Sequence, residues 1–191
     1  VSPDGLHWTV LEKPILRHGV HGSFDSQNLA FWDAVNSVYR AYFRAFASGN
    51  PISHGRGRAI KTAVSKDFVT WSEPQWLVYP DAPTEQLYTN QILPYPRAPH
   101  IFCGFPTRYI ERDWSNAITA LPEPEHRQFR ANVNPRFGTA LTDGLFMSSR
   151  DGLHWDRTFM EAFIRPGLDP KNWGGAHAQG VMAEVPDFVY T

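Results

Sequence analysis

The sequence contains one cysteine, no excess of either charge and no long apolar run, and each absence excludes a class of protein. Cys103 by itself forms neither an internal disulfide nor a zinc site of several cysteines. The 18 Lys and Arg residues nearly balance the 19 Asp and Glu residues, which argues against a basic surface for nucleic acid or membranes. Because the apolar runs fall far short of the roughly 20 residues that span a bilayer, we expect neither nucleic acid nor a membrane as a partner.

Motifs for metals, phosphates and nucleophilic serines are missing as well. The eight His residues are scattered, without the His-x-x-x-His spacing of a helical metal site. The glycine-rich stretch 55–58 precedes no helical pattern, and no Gly-x-Ser-x-Gly elbow occurs. We therefore expect no bound metal and no cofactor.

Aromatic and turn-forming residues are abundant instead. Aromatics make up 14% of the 191 residues, and the chain contains 14 Gly and 16 Pro. Hydrophobic residues make up 42%, which is enough for a packed core and excludes a disordered chain. This composition predicts short strands joined by frequent turns, in one domain or part of a larger one.

One seven-residue pattern, Ser-x-Asp-x-x-x-Trp, occurs three times, starting at positions 2, 65 and 149. The Asp carboxylate of such a turn accepts hydrogen bonds from backbone N–H groups two or three residues later, and the Trp enters the next strand. The wider second spacing indicates an insertion, which we place in the Pro- and Asn-rich stretch 112–136. Because the Asp residues of the pattern serve a turn, we do not choose them as catalysts: Asp4, Asp67 and Asp151.

The stretches between the turns predict two sets of four strands. The first set covers 28–33, 38–46, 58–64 and 76–79, and the second covers 87–93, 101–109, 140–148 and 155–164. A third set begins near Trp173, and a short helix is expected around 123–130 within the insertion. Repeated four-stranded units of about 60 residues are typical of β-propeller blades.

The sequence therefore predicts an all-β fold, a partial β-propeller of four-stranded antiparallel blades. Its segments are the end of a preceding blade (1–22), a blade (23–80), a blade with the insertion (81–168) and the start of the next blade (169–191). Propellers close with four to eight blades, and this chain starts without Met and stops in a strand-like stretch. We expect it to be an internal piece of a longer protein.

The Ser-x-Asp-Gly-x-x-Trp turns resemble those of five-bladed propeller glycoside hydrolases of the β-fructosidase and arabinanase type. The stretch 24–33 is similar to the innermost strand of a blade in that group, and the stretches 39–71 and 142–152 resemble it too. The resemblance implies five blades in the full protein and a glycan that is hydrolysed or bound in the axial funnel. The turn also resembles the Asp-box of sialidases, although here Gly directly follows the Asp.

Because the innermost strand of each blade lines the funnel, polar residues on it predict a ligand pocket. Three inner strands carry such residues: Asp25, Asn28 and Asp33; Tyr88, Asn90 and Gln91; His177 and Gln179. A sugar site needs several fixed donors and acceptors around the sugar hydroxyl groups. The alternative is that these side chains cap strand ends through hydrogen bonds to the backbone.

Glycoside hydrolysis usually needs two carboxyl groups across the scissile bond. The resemblance implies Asp25 as the nucleophile or base, because the family places an Asp at the start of the first inner strand. Asp143 is a second candidate, which could position the substrate or form a turn with Gly144. The general acid is expected to be a Glu with a raised pKa; Glu161 and Glu184 are available, unless the acid lies in another blade.

Arginines add a further hypothesis. Four of them could bind a carboxylated sugar through bidentate contacts: Arg44, Arg108, Arg112 and Arg150. Structural pairing is the alternative, and Asp33 is expected beside Arg44 or Arg58. Three functions thus stay open: a glycoside hydrolase-like enzyme, a non-catalytic carbohydrate- or protein-binding propeller, and a sialidase-type enzyme with three arginines around one pocket. Since polysaccharide substrates lie outside cells, we expect a secreted or periplasmic protein.

Overall fold

The computed structural model describes residues 1–48 and 56–173 of the chain. The first sheet contains four antiparallel strands in sequence order: β1 (Leu29–Asp33), β2 (Val38–Ser48), β3 (Arg56–Ser65) and β4 (Gln75–Trp76). Each strand pairs with the next one along the chain, so the sheet needs only short connections. The first set of predicted strands is confirmed, and its fourth strand is shorter than predicted.

Side-chain hydrogen bonds close the hairpin between β1 and β2. Asp33 Oδ1 accepts the backbone N–H of Asn36 at 3.1 Å, and Asp33 Oδ2 accepts the side-chain amide of Asn36 at 2.8 Å. Along β2 the side chains alternate between the two faces of the sheet. Tyr42 therefore enters one apolar core and Phe43 enters the other.

The second set of strands builds two shorter sheets that follow one another along the backbone. The strands are β5 (Gln86–Leu87), β6 (Ile92–Tyr95), β7 (Ala98–Gly104), β8 (Thr107–Ile110), β9 (Leu141–Gly144) and β10 (Met147–Ser149). One sheet has the order β5-β8-β9 and the other has the order β6-β7-β10. Isolated bridges add a fourth segment to each, because Gly144 pairs with Ile164 and Ser148 pairs with Asp156.

Each strand predicted in the second set is interrupted in the structure, and three of the breaks have an identifiable cause. Gln91, between β5 and β6, has a positive φ of 33°, which an extended strand excludes. Pro106, between β7 and β8, has no backbone N–H for the ladder. Asp156 accepts the N–H and hydroxyl of Thr158 at 2.8 and 2.7 Å, which turns the backbone within 155–164. The all-β fold with antiparallel sheets is nevertheless confirmed.

The insertion lies between β8 and β9, and its helices are α1 (Asn116–Thr119), α2 (Pro124–Ala131) and α3 (Arg136–Thr139). The position of α2 confirms the predicted helix. Arg127, which is 3% exposed, ties the insertion together through four backbone carbonyls at 2.7–3.1 Å: those of Ile118, Leu121, Pro122 and Gly138. None of the helices in the described ranges is both long and apolar enough to cross a membrane.

The larger core lies between the first sheet and the second set of strands. Its buried members come from both: Tyr42, Ile60, Leu77, Leu87, Ile92, Phe102, Leu145, Met147 and Trp155. The Tyr42 hydroxyl also donates a hydrogen bond to the carbonyl of Gly152 at 2.8 Å. This bond joins β2 to the third copy of the repeated turn, whose Trp155 is fully buried.

All three copies of the Ser-x-Asp-x-x-x-Trp pattern form the predicted turn. In each copy one Asp oxygen accepts the backbone N–H groups two and three residues later, at 2.7–2.9 Å. The Trp indole N–H donates to the carbonyl of the residue that follows the Asp, at 3.0–3.4 Å. That residue has a φ of 64–77° in every copy: Gly5, Phe68 and Gly152. The carboxylates of the pattern are therefore structural.

Candidate functional site

Asp25 and Arg44 form an ion pair in front of β1. Arg44 Nε donates to Asp25 Oδ1 at 2.8 Å, and Arg44 Nη2 bonds to Asp25 Oδ2. The hydrogen bond from Arg44 is the main reason that the pKa of Asp25 is lowered, although partial burial acts in the opposite direction. The carboxylate is thus ionised at neutral pH, and 51% of its side chain is exposed. Such a group is suited to act as a nucleophile or base rather than as a proton donor.

Aromatic rings hold Arg44 in place. Its Cζ lies 4.5 Å from the ring centroid of Tyr88 and 5.2 Å from that of Phe46. Arg58 stacks on Tyr88 as well, at 5.1 Å, and on Tyr109 at 4.4 Å. Guanidinium groups pack well on aromatic faces. This stacking therefore restricts the rotamer of Arg44 and, through Arg44, the orientation of Asp25.

The loop that carries Asp25 is bonded internally and to the neighbouring inner strand. Asn28 Nδ2 donates to the carbonyl of Ser26 at 2.8 Å, and Ser26 Oγ donates to the carbonyl of Tyr88 at 3.1 Å. Asn28, predicted to bind substrate, thus shapes the loop around Asp25. Its contact with a ligand stays a prediction.

Asn90 and Gln91 fix the same loop from the other side. Asn90 Nδ2 donates to the carbonyl of Gln27 at 3.0 Å, and the Gln91 backbone N–H donates to Gln27 Oε1 at 3.2 Å. Asn90 is 1% exposed, and its Oδ1 is buried without a hydrogen-bond partner. The structure therefore brings Asn28, Asn90 and Gln91 together around the loop of Asp25, and their role in substrate binding is not tested by this geometry.

A cleft of about 540 Å³ opens between segment 18–23 and the first sheet. This volume falls within the range of small-molecule sites, roughly 300–1,000 Å³. Its titratable and aromatic lining comes from that segment, the Asp25 loop and strands β2 to β4: His18, His21, Asp25, Phe46, Lys61 and Trp76. The cleft thus combines one carboxylate, one ammonium group and aromatic surface, with Trp76 40% exposed.

Close backbone approach positions segment 18–23 over the sheet. A Cβ at Gly22 would lie 2.6 Å from the Phe43 ring, and the N–H of Ser23 donates to the carbonyl of Arg44 at 2.9 Å. His21 Nδ1 accepts the backbone N–H of Arg17 at 2.8 Å. The neutral His21 ring therefore carries its proton on Nε2, as a hydrogen-bond donor.

Asp33 lies away from this cleft and is 1% exposed. Its partner is Arg40, whose Nε donates to Asp33 Oδ2 at 3.1 Å, so the pairing with Arg44 or Arg58 expected from the sequence is wrong. Arg40 of β2 lies opposite Phe31 of β1. Because Phe31 and Asp33 are two residues apart on β1, they share a face of the sheet, and Arg40 lies on that same face. The geometry favours a structural role, and substrate binding by Asp33 stays a prediction.

Asp143 and Arg108 belong to a second ion-pair network. Arg108 Nε and Nη2 donate to the two oxygens of Asp143 at 2.9 and 2.7 Å, and Arg108 Nη1 donates to Glu85 at 2.9 Å. The hydrogen bonds that Arg108 donates to Asp143 are the main cause that raises the pKa of Arg108. Glu85 also bonds to Arg157, which is 1% exposed. This network matches the structural pairing that the sequence left open. Catalysis by Asp143 and substrate binding by Arg108 stay predictions.

Glu85 and Arg157 were not predicted from the sequence. A usable signal was their position, because Glu85 directly precedes an inner strand and Arg157 follows the Trp of the third turn by two residues. Glu161 is exposed and bonded to Arg165. His177, Gln179 and Glu184 lie outside the described residues, as does the third set of strands. Within residues 1–48 and 56–173, no three His, Cys, Asp or Glu side chains gather as a metal site.

Comparison with known proteins gives structural similarity only. No protein-family profile and no curated protein match the chain. One similar structure is an N-acetylgalactosamine deacetylase from F. plautii in complex with blood group B trisaccharide, at 16% identity and a TM-score of 0.46, covering 73% of this chain and 31% of that one.

Two further structures are similar over more of the chain. A complex of BT0996 with RGII shares 17% identity with a TM-score of 0.47, covering 84% of this chain and 41% of that one. A glycoside hydrolase shares 16% identity with a TM-score of 0.45, covering 82% and 40%. The chain spans about a third to two fifths of the length of the structures that it matches.

Proposed function

We propose that this chain forms part of a carbohydrate-active protein of glycoside hydrolase type, in which the cleft beside Asp25 binds a glycan. Asp25 would act as the nucleophile or the general base. The observation that carries the proposal is a half-exposed carboxylate in the wall of a cleft, held ionised by a buried arginine. The resemblance of the repeated turns to glycoside hydrolase propellers points in the same direction.

The chemistry of Asp25 agrees with this role. A glycosidase transition state carries positive charge at the sugar ring, and a carboxylate close to it attacks the anomeric carbon or activates water. Arg44 occupies one position on each Asp25 oxygen, and a carboxylate oxygen can accept a further hydrogen bond. Trp76 offers a partly exposed indole beside the carboxylate cleft, and sugar rings pack on such surfaces.

A second candidate function is glycan binding without hydrolysis. Hydrolysis usually requires a second carboxyl group as the general acid, and Asp25 is the one carboxylate among the described residues that line the cleft. Glu184, outside the described residues, stays the predicted acid. The sialidase alternative has less support, because Arg44 and Arg108 belong to different ion pairs.

The experiment compares binding and hydrolysis of a panel of oligosaccharides by the chain and by two variants. We expect Asp25→Asn to lower hydrolysis by at least about a hundredfold, the lower range for acid–base catalysis. Asp113→Asn is the matched control, because Asp113 is exposed and does not line the cleft. Binding that depends on Asp25 without any hydrolysis would favour the second candidate. Oligosaccharides that bind nowhere on the chain would contradict both.

A further inference from the structure

Lys61 places an unpaired cation in the wall of the cleft. It lies on β3 opposite Trp76 of β4, and its Nζ is 4.5 Å from the centroid of the Trp76 ring. Among the residues that the structure describes, no carboxylate forms an ion pair with Lys61. The indole face attracts the ammonium group and holds it at the wall, but it does not neutralise the charge.

Asp25 does not balance the charge of Lys61, because the negative charge of Asp25 is already balanced by Arg44. Both carboxylate oxygens bond to the Arg44 guanidinium, which lies behind the wall and is 4% exposed. The other titratable groups of the described lining are His18 and His21, which are neutral or positive and never negative. The cleft therefore presents an excess of positive charge to a ligand.

Arg58 lies within electrostatic range of both Arg44 and Arg136, and all three lie outside the cleft lining. Arg58 donates to the neutral Gln86 Oε1 at 2.8 Å, and the Nε atoms of Arg58 and Arg136 are buried without hydrogen-bond partners. No ion pair links either arginine to a carboxylate in the described part of the chain. Burial above all lowers the pKa of Arg58, and the charges of Arg136 and Arg44 act in the same direction. Clustered cations of this kind attract anions.

We propose that the cleft binds an acidic glycan, and that Lys61 Nζ binds the carboxylate or sulfate group on its sugar. This inference rests on the proposed function, because it takes the cleft as the glycan site. Lys61 supplies the cation, and the exposed part of Trp76 packs against the sugar ring.

Isothermal titration with three trisaccharides tests the inference: trigalacturonate, neutral galactotriose and sulfated galactotriose. We expect at least one acidic probe to bind more tightly than the neutral probe, with an affinity that falls as salt is added. Lys61→Gln should weaken acidic binding by about tenfold, the loss of one charge-assisted hydrogen bond, and weaken neutral binding by less. Lys61→Arg should retain the affinity. Lys13→Gln is the matched control, since Lys13 is exposed and outside the cleft.

The outcomes separate this inference from the proposed function. Equal binding of acidic and neutral probes, or acidic binding that Lys61→Gln leaves unchanged, overturns the role of Lys61 while glycan binding stands. Failure of every probe here and of the wider oligosaccharide panel overturns both. Circular dichroism checks the fold of each variant. If Lys61→Gln does not fold, an acidic-probe affinity that is independent of salt overturns the inference.

Discussion

The Arg44 guanidinium is buried, whereas the Asp25 carboxylate that it holds is half exposed. Their side chains are 4% and 51% exposed, and the guanidinium is stacked on Tyr88 and Phe46. Arg44, which a ligand in the cleft does not reach, thus orients Asp25, which the ligand does reach. Asp25 is the candidate catalytic residue, and Arg44 is its positioning residue.

Removing the arginine charge should change the titration of Asp25. In Arg44→Gln we expect the pKa of Asp25 to rise toward the ordinary Asp value of about 3.9, because the bonds and the charge that favour the ionised form are lost. Carbon-detected NMR of the Asp25 carboxyl group over pH 2–7 measures this. Arg112→Gln, at an exposed arginine outside the pair, is the control. An Asp25 titration that is the same in both variants would contradict the assignment.

The same ion pair makes a prediction about stability and pH. The pKa of Asp25 is lowered in the folded state. The contribution of its ionised form to the free energy of unfolding is therefore complete above the unfolded pKa and is lost as pH falls through the folded pKa. The difference in unfolding free energy between the wild type and Asp25→Asn should therefore shrink below about pH 4. Urea denaturation at a series of pH values measures that difference, and a constant difference would count against the pair.

Two glycines at equivalent positions of the repeated turn should differ in their tolerance of a side chain. Gly5 and Gly152 have φ of 74° and 77°, so alanine costs roughly 1 kcal/mol of strain at either. A Cβ at Gly152 would also lie 2.7 Å from Arg40 Nη1 and from Tyr42 Oη, whereas Gly5 has open space. We expect Gly152→Ala to lose about 1–3 kcal/mol more than Gly5→Ala. Urea unfolding measures both losses, and equal losses would refute the close contact.

Local patterns of the sequence predicted most of the fold. The turn around Asp67 depends on groups within four residues of that Asp, and the alternation along β2 is visible in its own residues. The break at Gln91 was not predicted, because the positive φ of Gln91 accompanies its bond to the distant Gln27. Such a partner cannot be recognised from the pattern around Gln91 alone.

The candidate site was predictable to a smaller extent. Asp25 followed from a family resemblance, whereas Arg44 was predicted as one of four arginines for a carboxylated sugar or as a partner of Asp33, and not as the partner of Asp25. The pairing with Arg44 depends on how the loop folds back over β2, which Gly22 permits by its approach to Phe43. Lys61 was not predicted at all, because a single lysine on an alternating strand carries no signal until the cleft beside it is known.

The carboxylate of the second turn should titrate far below an ordinary Asp. The N–H groups of Thr70 and Val69, in that order of importance, lower the pKa of Asp67 to about 2 by bonding to its ionised form. The stabilisation by this turn is complete above the unfolded pKa and is lost as pH falls through about 2. The amide shifts of Val69 and Thr70 in NMR spectra should report that midpoint. In Asp67→Asn the titration should vanish at the amides of Val69 and Thr70. It should persist at the His154 amide of the third turn, because each copy is closed by its own carboxylate. A midpoint near 3.9, the ordinary value for Asp, would show that these two bonds do not favour the ionised form.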